Sequence, residues 1–178
     1  MKEVLILDKK FRELIPGEKI QERISDMAAL INNDFKGKEV VFLGILNGAF
    51  MFASDLFRRI ELKARISFIK LASYRGTSSS GTVRELIGWN EDLKQKSVII
   101  LEDIVDSGFT LEYAVNNLVI RNVTDIKIAA LFLKPDCYKK TIPVDYVGFE
   151  IPDSFVVGFG LDYEGFGRNL TSIYSLIQ

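Results

Sequence analysis

The sequence predicts an α/β fold, with a mostly parallel central sheet and helices on both of its faces. Three observations predict it. Short, nearly continuous apolar runs recur along the 178 residues, as in strands that are buried on both sides. Segments with apolar residues at helical spacing separate these runs. No repeat, low-complexity tract or linker divides the chain, so we expect one domain over residues 1–178.

The elements can be predicted in order from the spacing of apolar residues. Helices are predicted over residues 16–35, 49–60 and 111–119, because apolar side chains recur there every three or four positions. In such folds ligands bind beyond the carboxyl ends of the strands, so candidate site residues are sought there. The predicted strands are the apolar runs at 40–46, 66–71, 98–101, 126–133, 147–149 and 155–159.

The composition excludes several kinds of chemistry. The chain has no histidine, which excludes Ser-His-Asp and Cys-His catalysis, imidazole zinc sites and imidazole bases. Its one cysteine, Cys137, excludes an intrachain disulfide and fits a reducing compartment. The net charge of −1 argues against nucleic-acid or membrane-surface binding through bulk charge. We therefore expect a cytoplasmic protein with no nucleic-acid or membrane partner.

A strand that runs into two acids is the strongest chemical signal. Residues 98–101 lead into Glu102 and Asp103, and a short polar turn follows before the third helix. Backbone amides and hydroxyls of that turn, together with the helix N-terminus, favour an anion such as phosphate. The plainer alternative is that Asp106 or Ser107 caps the helix and that the two acids are a solvated strand end. A P-loop NTPase is excluded, because the G-x-x-x-x-G-K-[ST] motif is absent.

Residues 98–111 resemble the phosphoribosyl-diphosphate motif of type I phosphoribosyltransferases nearly residue for residue. Further stretches match the hypoxanthine-guanine phosphoribosyltransferase family in order and spacing. The resemblance implies the type I fold with a small hood formed by terminal segments, dependence on Mg²⁺, and assembly as a homodimer or homotetramer. It implies purine salvage, in which hypoxanthine and guanine react with phosphoribosyl diphosphate to give IMP, GMP and diphosphate. The matching stretches are 46–48, Ser73-Tyr74, Lys134-Pro135 and 147–168.

The same resemblance implies a role for each motif residue. Glu102 and Asp103 would hold the ribose hydroxyls directly or through Mg²⁺, and Asp162 would be a further metal-binding acid. Asp106 would be the general base at purine N7, while Lys134 would donate to purine O6 and select 6-oxopurines. The implied binding residues are Asp106, Ser107, Gly108, Phe109 and Thr110 for the 5′-phosphate, Asn47, Gly48 and Arg168 for the diphosphate, and Lys134, Phe155, Val156 and Asp162 for the purine.

Two of these stretches leave their function open. Asn47 stands where the family often has lysine, in a loop whose peptide bond is cis in the family, and an Asn-Gly turn explains its composition equally well. Ser73 and Tyr74 precede a small polar stretch at 75–82, which would be a lid that excludes water or a plain solvated connection. The lid would extend to about residue 84.

Two alternative functions also remain. Some bacterial regulators with this fold bind RNA or DNA, but they need a strongly basic face for which the composition offers little. A transferase for another base, such as xanthine, would still use Lys134.

Overall fold

The computed structural model describes residues 2–74, 82–89 and 91–177, with the side chains of 72–74 and 82–84 left out. The described elements follow in chain order: β1 (Glu3–Ile6), β2 (Lys9–Ile15), α1 (Gly17–Asp34), β3 (Glu39–Leu46), α2 (Phe50–Phe57), β4 (Lys63–Tyr74), β5 (Thr82–Ile87), β6 (Ser97–Val105), α3 (Phe109–Ile120), β7 (Asp125–Leu133), β8 (Tyr146–Glu150), β9 (Val156–Val157) and β10 (Ile173–Leu176).

Within the described ranges, the central sheet has six strands in the order β5-β4-β3-β6-β7-β8. Strands β3, β4, β6, β7 and β8 pair in parallel, and β5 runs antiparallel to β4. The parallel strands therefore end at one edge of the sheet, where the predicted site residues follow them. This arrangement confirms the predicted α/β class with a mostly parallel sheet.

Alternating side chains in each central strand supply the cores on both faces. In β3, Val40 and Phe42 join the core beneath α1 and α2, whereas Val41 and Leu43 join the core beneath α3. Strand β6 divides in the same way, because successive strand residues point to opposite faces. Burying each of these side chains contributes about 1.5–3 kcal/mol to folding, which is why the strands are continuous apolar runs. The prediction of helices on both faces is confirmed.

A second sheet is built mainly from the chain's terminal segments. Its four strands, among the described residues, are antiparallel in the order β1-β2-β10-β9 and enclose a small core around Phe11, Val157 and Tyr174. This sheet corresponds to the hood that the family resemblance implies. The strand predicted at 155–159 is shortened to two residues and pairs with β10, because Gly158 turns the chain with φ +105°.

Other boundaries also differ from the predictions. Strand β6 continues four residues beyond the predicted 98–101, so Glu102 and Asp103 lie inside it and are buried. The backbone of residues 82–84, predicted to lie in the lid, forms the start of β5 and pairs with β4. Residues 75–81 of the predicted lid lie outside the described residues. No helix in the described part of the chain is long and apolar enough to cross a membrane.

Candidate active site

The register of β6 against β7 places Asp106 beside Lys134. Val105 pairs with Leu133 in the parallel ladder, so the next residue of each strand leaves the sheet at the same edge. The Lys134 amide donates to the Val105 carbonyl at 2.9 Å. The Lys134 ammonium lies 3.6 Å from Oδ2 of Asp106. The hydrogen-bonding pattern of the sheet therefore brings together the two residues predicted to be catalytic.

The Lys134 side chain is buried between two carboxylates. The residue is 7% exposed, and its Nζ lies 3.2 Å from Oδ1 of Asp153 as well as near Asp106. A desolvated ammonium needs such partners, because an unpaired charge in this position would cost several kcal/mol, of the order of 3–5. Asp153 belongs to a matching stretch of the sequence, but no pattern in the sequence indicates this contact.

Cys137 lies in the same cluster. Partial burial raises the pKa of its thiol, and the neighbouring carboxylates of Asp153 and Asp106 raise it further. The thiol is therefore protonated at neutral pH, which is opposite to the activation of a nucleophilic cysteine.

Glu102 and Asp103 are two adjacent buried carboxyls, 8% and 9% exposed. Burial raises the pKa of Glu102 well above its ordinary value, and the Asp103 charge adds to this. Burial also raises the pKa of Asp103 to about 6, although backbone hydrogen bonds and the Arg168 charge lower it. Among the described residues, Oε2 of Glu102 is buried without a hydrogen-bond partner. The pair is thus short of positive charge and of donors, so a cation would stabilise it.

The three acids predicted to bind metal do not form one cluster. No group of three or more Cys, Asp or Glu side chains within the described ranges could hold a metal ion. Asp162 is instead paired with Arg168, with Oδ1 2.6 Å from the guanidinium, and its Oδ2 accepts the Gly165 amide at 2.7 Å. Asp162 is close enough to raise the pKa of Asp103, but its carboxylate is directed to these other partners.

The predicted diphosphate loop is closely packed around Gly48. The peptide bond between Leu46 and Asn47 is cis, as the family resemblance implies. A Cβ on Gly48 would collide with the Asp103 carboxylate, and a Cβ on Gly160, where φ is +101°, would collide with the Gly48 carbonyl. Only glycine fits at these two positions. The side chain of Asn47 is exposed.

Arg168 is hydrogen-bonded and ion-paired to the segment that approaches this loop. Its guanidinium donates to the Gly160 carbonyl at 2.5 Å and pairs with Asp162. The side chain is 27% exposed, and its charge lowers the pKa of Asp103. Arg168 thus belongs to the same edge of the site as Gly48 and Asp103.

The turn after β6 leads into α3 through Gly108. This glycine has φ +83° and occupies the N-cap position, and no side chain caps the helix there. The alternative that Asp106 or Ser107 is the N-cap is therefore wrong. The first amides of α3 have no intrahelical partner and remain donors for an anion. Around them lie Ser107 and Thr110, which are half-buried, and Phe109, which is exposed.

The predicted purine residues lie at the junction of the hood and the central sheet. Phe155 is 47% exposed, with its ring 6.3 Å from Phe11 and 6.0 Å from Tyr163 between centroids. Val156 is buried in β9. The contact from Asp153 to Lys134 connects this segment to the end of β7. Ser73 and Tyr74 lie in β4, and their side chains are not described.

Comparisons with known proteins agree with this geometry. Residues 13–164 match the family model described as the phosphoribosyl transferase domain. A hypoxanthine-guanine phosphoribosyltransferase from Staphylococcus epidermidis is 42% identical over 164 residues, with 92% of each chain covered. The chain belongs to the hypoxanthine-guanine phosphoribosyltransferase family. The family member from Mycobacterium bovis is 39% identical over 170 residues, covering 92% of this chain and 84% of its own.

Solved structures of the family have the same fold. A hypoxanthine phosphoribosyltransferase from Staphylococcus aureus superposes with a TM-score of 0.89 at 40% identity, covering 93% of this chain and 91% of its own. A hypoxanthine-guanine phosphoribosyltransferase from Bacillus anthracis gives 0.86 at 37% identity, with 93% and 97% covered. Membership of the hypoxanthine-guanine phosphoribosyltransferase family confirms that the chain is a purine-salvage transferase, as the sequence predicts.

Proposed function

We propose that the enzyme transfers the 5-phosphoribosyl group of phosphoribosyl diphosphate to N9 of hypoxanthine and of guanine, giving IMP or GMP. The bond from C1′ to the diphosphate oxygen breaks, the bond from N9 to C1′ forms, and the N7 proton of the purine passes to the enzyme. The observation that carries this proposal is the pairing of Asp106 with Lys134 at the edge of the sheet, 3.6 Å apart.

Asp106 and Lys134 suit two polar groups of a 6-oxopurine. The buried ammonium of Lys134 would donate to O6, and the carboxylate of Asp106 would accept or orient the proton on N7. O6 and N7 are neighbouring polar groups on one edge of a purine, so a donor and an acceptor side by side match that edge. Adenine has an amino group at C6, and this hydrogen-bond donor would face the Lys134 ammonium, which is also a donor. We therefore expect the enzyme to reject adenine.

The exposed ring of Phe155 supports stacking on the purine, and the backbone of Val156 would contact its edge. Asp162 would then lie near the purine 2-position. These placements rest on the family resemblance and on the contact from Asp153 to Lys134, which brings the segment before β9 to the proposed base site.

The turn Asp106, Ser107, Gly108, Phe109 and Thr110 would hold the 5′-phosphate at the N-terminus of α3. Asn47, Gly48 and Arg168 would contact the diphosphate, with Asn47 acting through its backbone because its side chain is shorter than the lysine common in the family. A carboxylate close to C1′ would stabilise the positive charge that develops there as the diphosphate leaves.

The donor set at Glu102 and Asp103 fits Mg²⁺. Both are oxygen ligands with raised pKa values, and Oε2 of Glu102 is buried without a partner in the described part of the chain. Glu102 and Asp103 would hold the ion or the ribose hydroxyls, and the ion would neutralise charge on the diphosphate when bound. Asp162 would join them only after releasing Arg168.

A spectrophotometric assay tests the proposal. Hypoxanthine, guanine, xanthine and adenine are each offered with phosphoribosyl diphosphate, with and without Mg²⁺. We expect turnover of hypoxanthine and guanine that needs Mg²⁺, and none of adenine. Turnover of xanthine alone would identify a transferase for that base, and no turnover of any base would refute the proposal.

A homodimer or homotetramer and a cytoplasmic location remain predictions from the family resemblance and the composition.

A further inference from the structure

The proposed phosphate-binding turn has no basic side chain of its own. Its sequence is Asp106-Ser-Gly-Phe-Thr110, and Glu112 is the acidic residue of the first turn of α3. Two carboxylates therefore lie close to a site where a phosphate would bring about two further negative charges. Helix amides and the helix dipole offset part of this repulsion, and a cation from elsewhere in the chain would offset more.

Lys140 reaches this turn from the segment that follows β7. Its Nζ lies 4.3 Å from the centre of the Phe109 ring and 2.7 Å from Oε2 of Glu112. Its aliphatic stem packs against Gly108, since a Cβ built on that glycine would lie 2.9 Å from Cγ of Lys140. The lysine side chain is 21% exposed. Its ammonium is therefore held at the first turn of α3, next to the turn proposed to bind phosphate.

Several contacts fix that position. The face of Phe109 attracts the ammonium through a cation–π interaction, and Glu112 supplies an ion pair. Tyr138 also packs against Gly108 and donates its hydroxyl to the Ile142 carbonyl at 2.6 Å, which anchors the segment on either side of Lys140. Phe109 cannot itself donate to a phosphate through its side chain. Its ring instead positions a cation that comes from a segment about thirty residues further along the chain.

We propose that Lys140 is a binding residue for the 5′-phosphate, with the Phe109 ring and the contact of the lysine stem with Gly108 positioning its ammonium beside the turn. The proposal rests on the proposed function for the identity of that phosphate. Attraction between charges acts across several ångströms at a partly exposed site, so Lys140 can strengthen phosphate binding while it remains paired with Glu112. The sugar-phosphate substrate and the nucleotide product share this group, and both would benefit.

A purely structural ion pair is the alternative, and two substitutions separate the interpretations. Lys140→Gln and Glu112→Gln both break the same pair. If the pair only fastens the segment after β7 to α3, both changes weaken ligand binding in the same direction. If the charge of Lys140 attracts phosphate, Lys140→Gln weakens binding while Glu112→Gln strengthens it, because it removes a repelling carboxylate.

The experiment measures the dissociation constant of ribose 5-phosphate by calorimetry, and KM for phosphoribosyl diphosphate and for hypoxanthine. We expect Lys140→Gln to raise the dissociation constant of ribose 5-phosphate and KM for phosphoribosyl diphosphate about fivefold. KM for hypoxanthine should stay unchanged. Glu112→Gln should lower the constants for ribose 5-phosphate and phosphoribosyl diphosphate. The matched control is Lys139→Gln, which removes the same charge from the exposed neighbouring residue and should change neither. The effect of Lys140→Gln should shrink at high ionic strength.

Equal dissociation constants in the wild type, Lys140→Gln and Lys139→Gln would overturn the proposal, as would no detectable binding of ribose 5-phosphate to the wild type. A shift in the same direction in Lys140→Gln and Glu112→Gln would also overturn it. Thermal unfolding of each variant identifies a change that comes from loss of folding. Ribose 5-phosphate binding does not require turnover, so an enzyme that converts no purine would refute the proposed function while this comparison still decides the role of Lys140.

Discussion

The Lys134 ammonium lies 3.6 Å from the Asp106 carboxylate, directly beyond the paired ends of two parallel strands. Neither residue depends on a flexible loop for its position, because each is the first residue after its strand. Asp153 is a second carboxylate beside the same ammonium, at 3.2 Å. Because Asp153 remains beside the ammonium, Asp106 can be substituted without leaving Lys134 as an unpaired buried charge.

Substituting Asp106 by asparagine tests its role as the base. We expect kcat to fall by about 10²-fold or more, because the amide cannot accept the N7 proton. Phosphoribosyl diphosphate should bind with nearly unchanged affinity, as measured by calorimetry, since the turn keeps its amides and hydroxyls. Asp136→Asn, an exposed acid near the same edge, is the control and should behave as wild type. If binding and kcat fall together, Asp106 is a binding residue and not the base.

Substituting Lys134 by methionine removes the proposed O6 donor while keeping most of the side-chain volume. We expect kcat/KM for hypoxanthine and guanine to fall by about 10- to 100-fold, which corresponds to the loss of one hydrogen bond from a charged donor. Discrimination against adenine should weaken, because the opposing donor is gone. Steady-state kinetics with each base make the comparison. Unchanged kinetics with 6-oxopurines would remove Lys134 from the site.

The pH dependence of stability follows from the buried Asp103 carboxyl. Its pKa rises from 3.8 to about 6 on folding, so the folded state binds this proton more tightly than the unfolded state does. Stability is therefore lost as the pH rises from about 4 to about 6, by up to about 3 kcal/mol from this group. In EDTA, Asp103→Asn should have a higher free energy of unfolding than wild type at pH 8, and the advantage should shrink towards pH 4.5.

Urea unfolding at pH 4.5, 6 and 8 measures this difference. Because the Asp103 charge also raises the pKa of Glu102, the variant removes that contribution too, and both changes favour the variant at high pH. Lys94→Met is a useful comparison because that exposed lysine precedes the start of β6, whereas the two acids lie towards the end of that strand. A constant difference between wild type and Asp103→Asn at all three pH values would show that Asp103 titrates normally.

The sequence predicts the central fold because the strands are buried on both faces. Val41 and Phe42 must both be apolar, since they pack against different helices, and such runs are easy to recognise. The hood strands are short and partly exposed, so their apolar residues are separated by charged ones, as in Lys9–Ile15. The spacing of apolar residues alone does not identify them, and the family resemblance is what implied the hood.

The residues of the candidate site also differ in how far the sequence predicts them. Asp106 and Lys134 are predictable because each directly follows a buried strand, and the ladder then sets their separation. Asp153 and Lys140 are not predictable, because each meets its partner through folding of a distant segment. Asp162 is a motif residue whose partner the sequence does not predict. The motif places it near Asp103, but its pairing with Arg168 depends on side-chain geometry that a motif does not contain.

The pairing of Val105 with Leu133 also determines where this family can change length. The connection between α3 and β7 lies at the opposite edge of the sheet from the site, so insertions there would leave the two reactive side chains in place. One residue added inside β6 or β7 would turn Asp106 or Lys134 to the other face of the sheet. Natural variation in length should therefore collect in the connections at that distant edge, while the two strands keep their spacing to the residue.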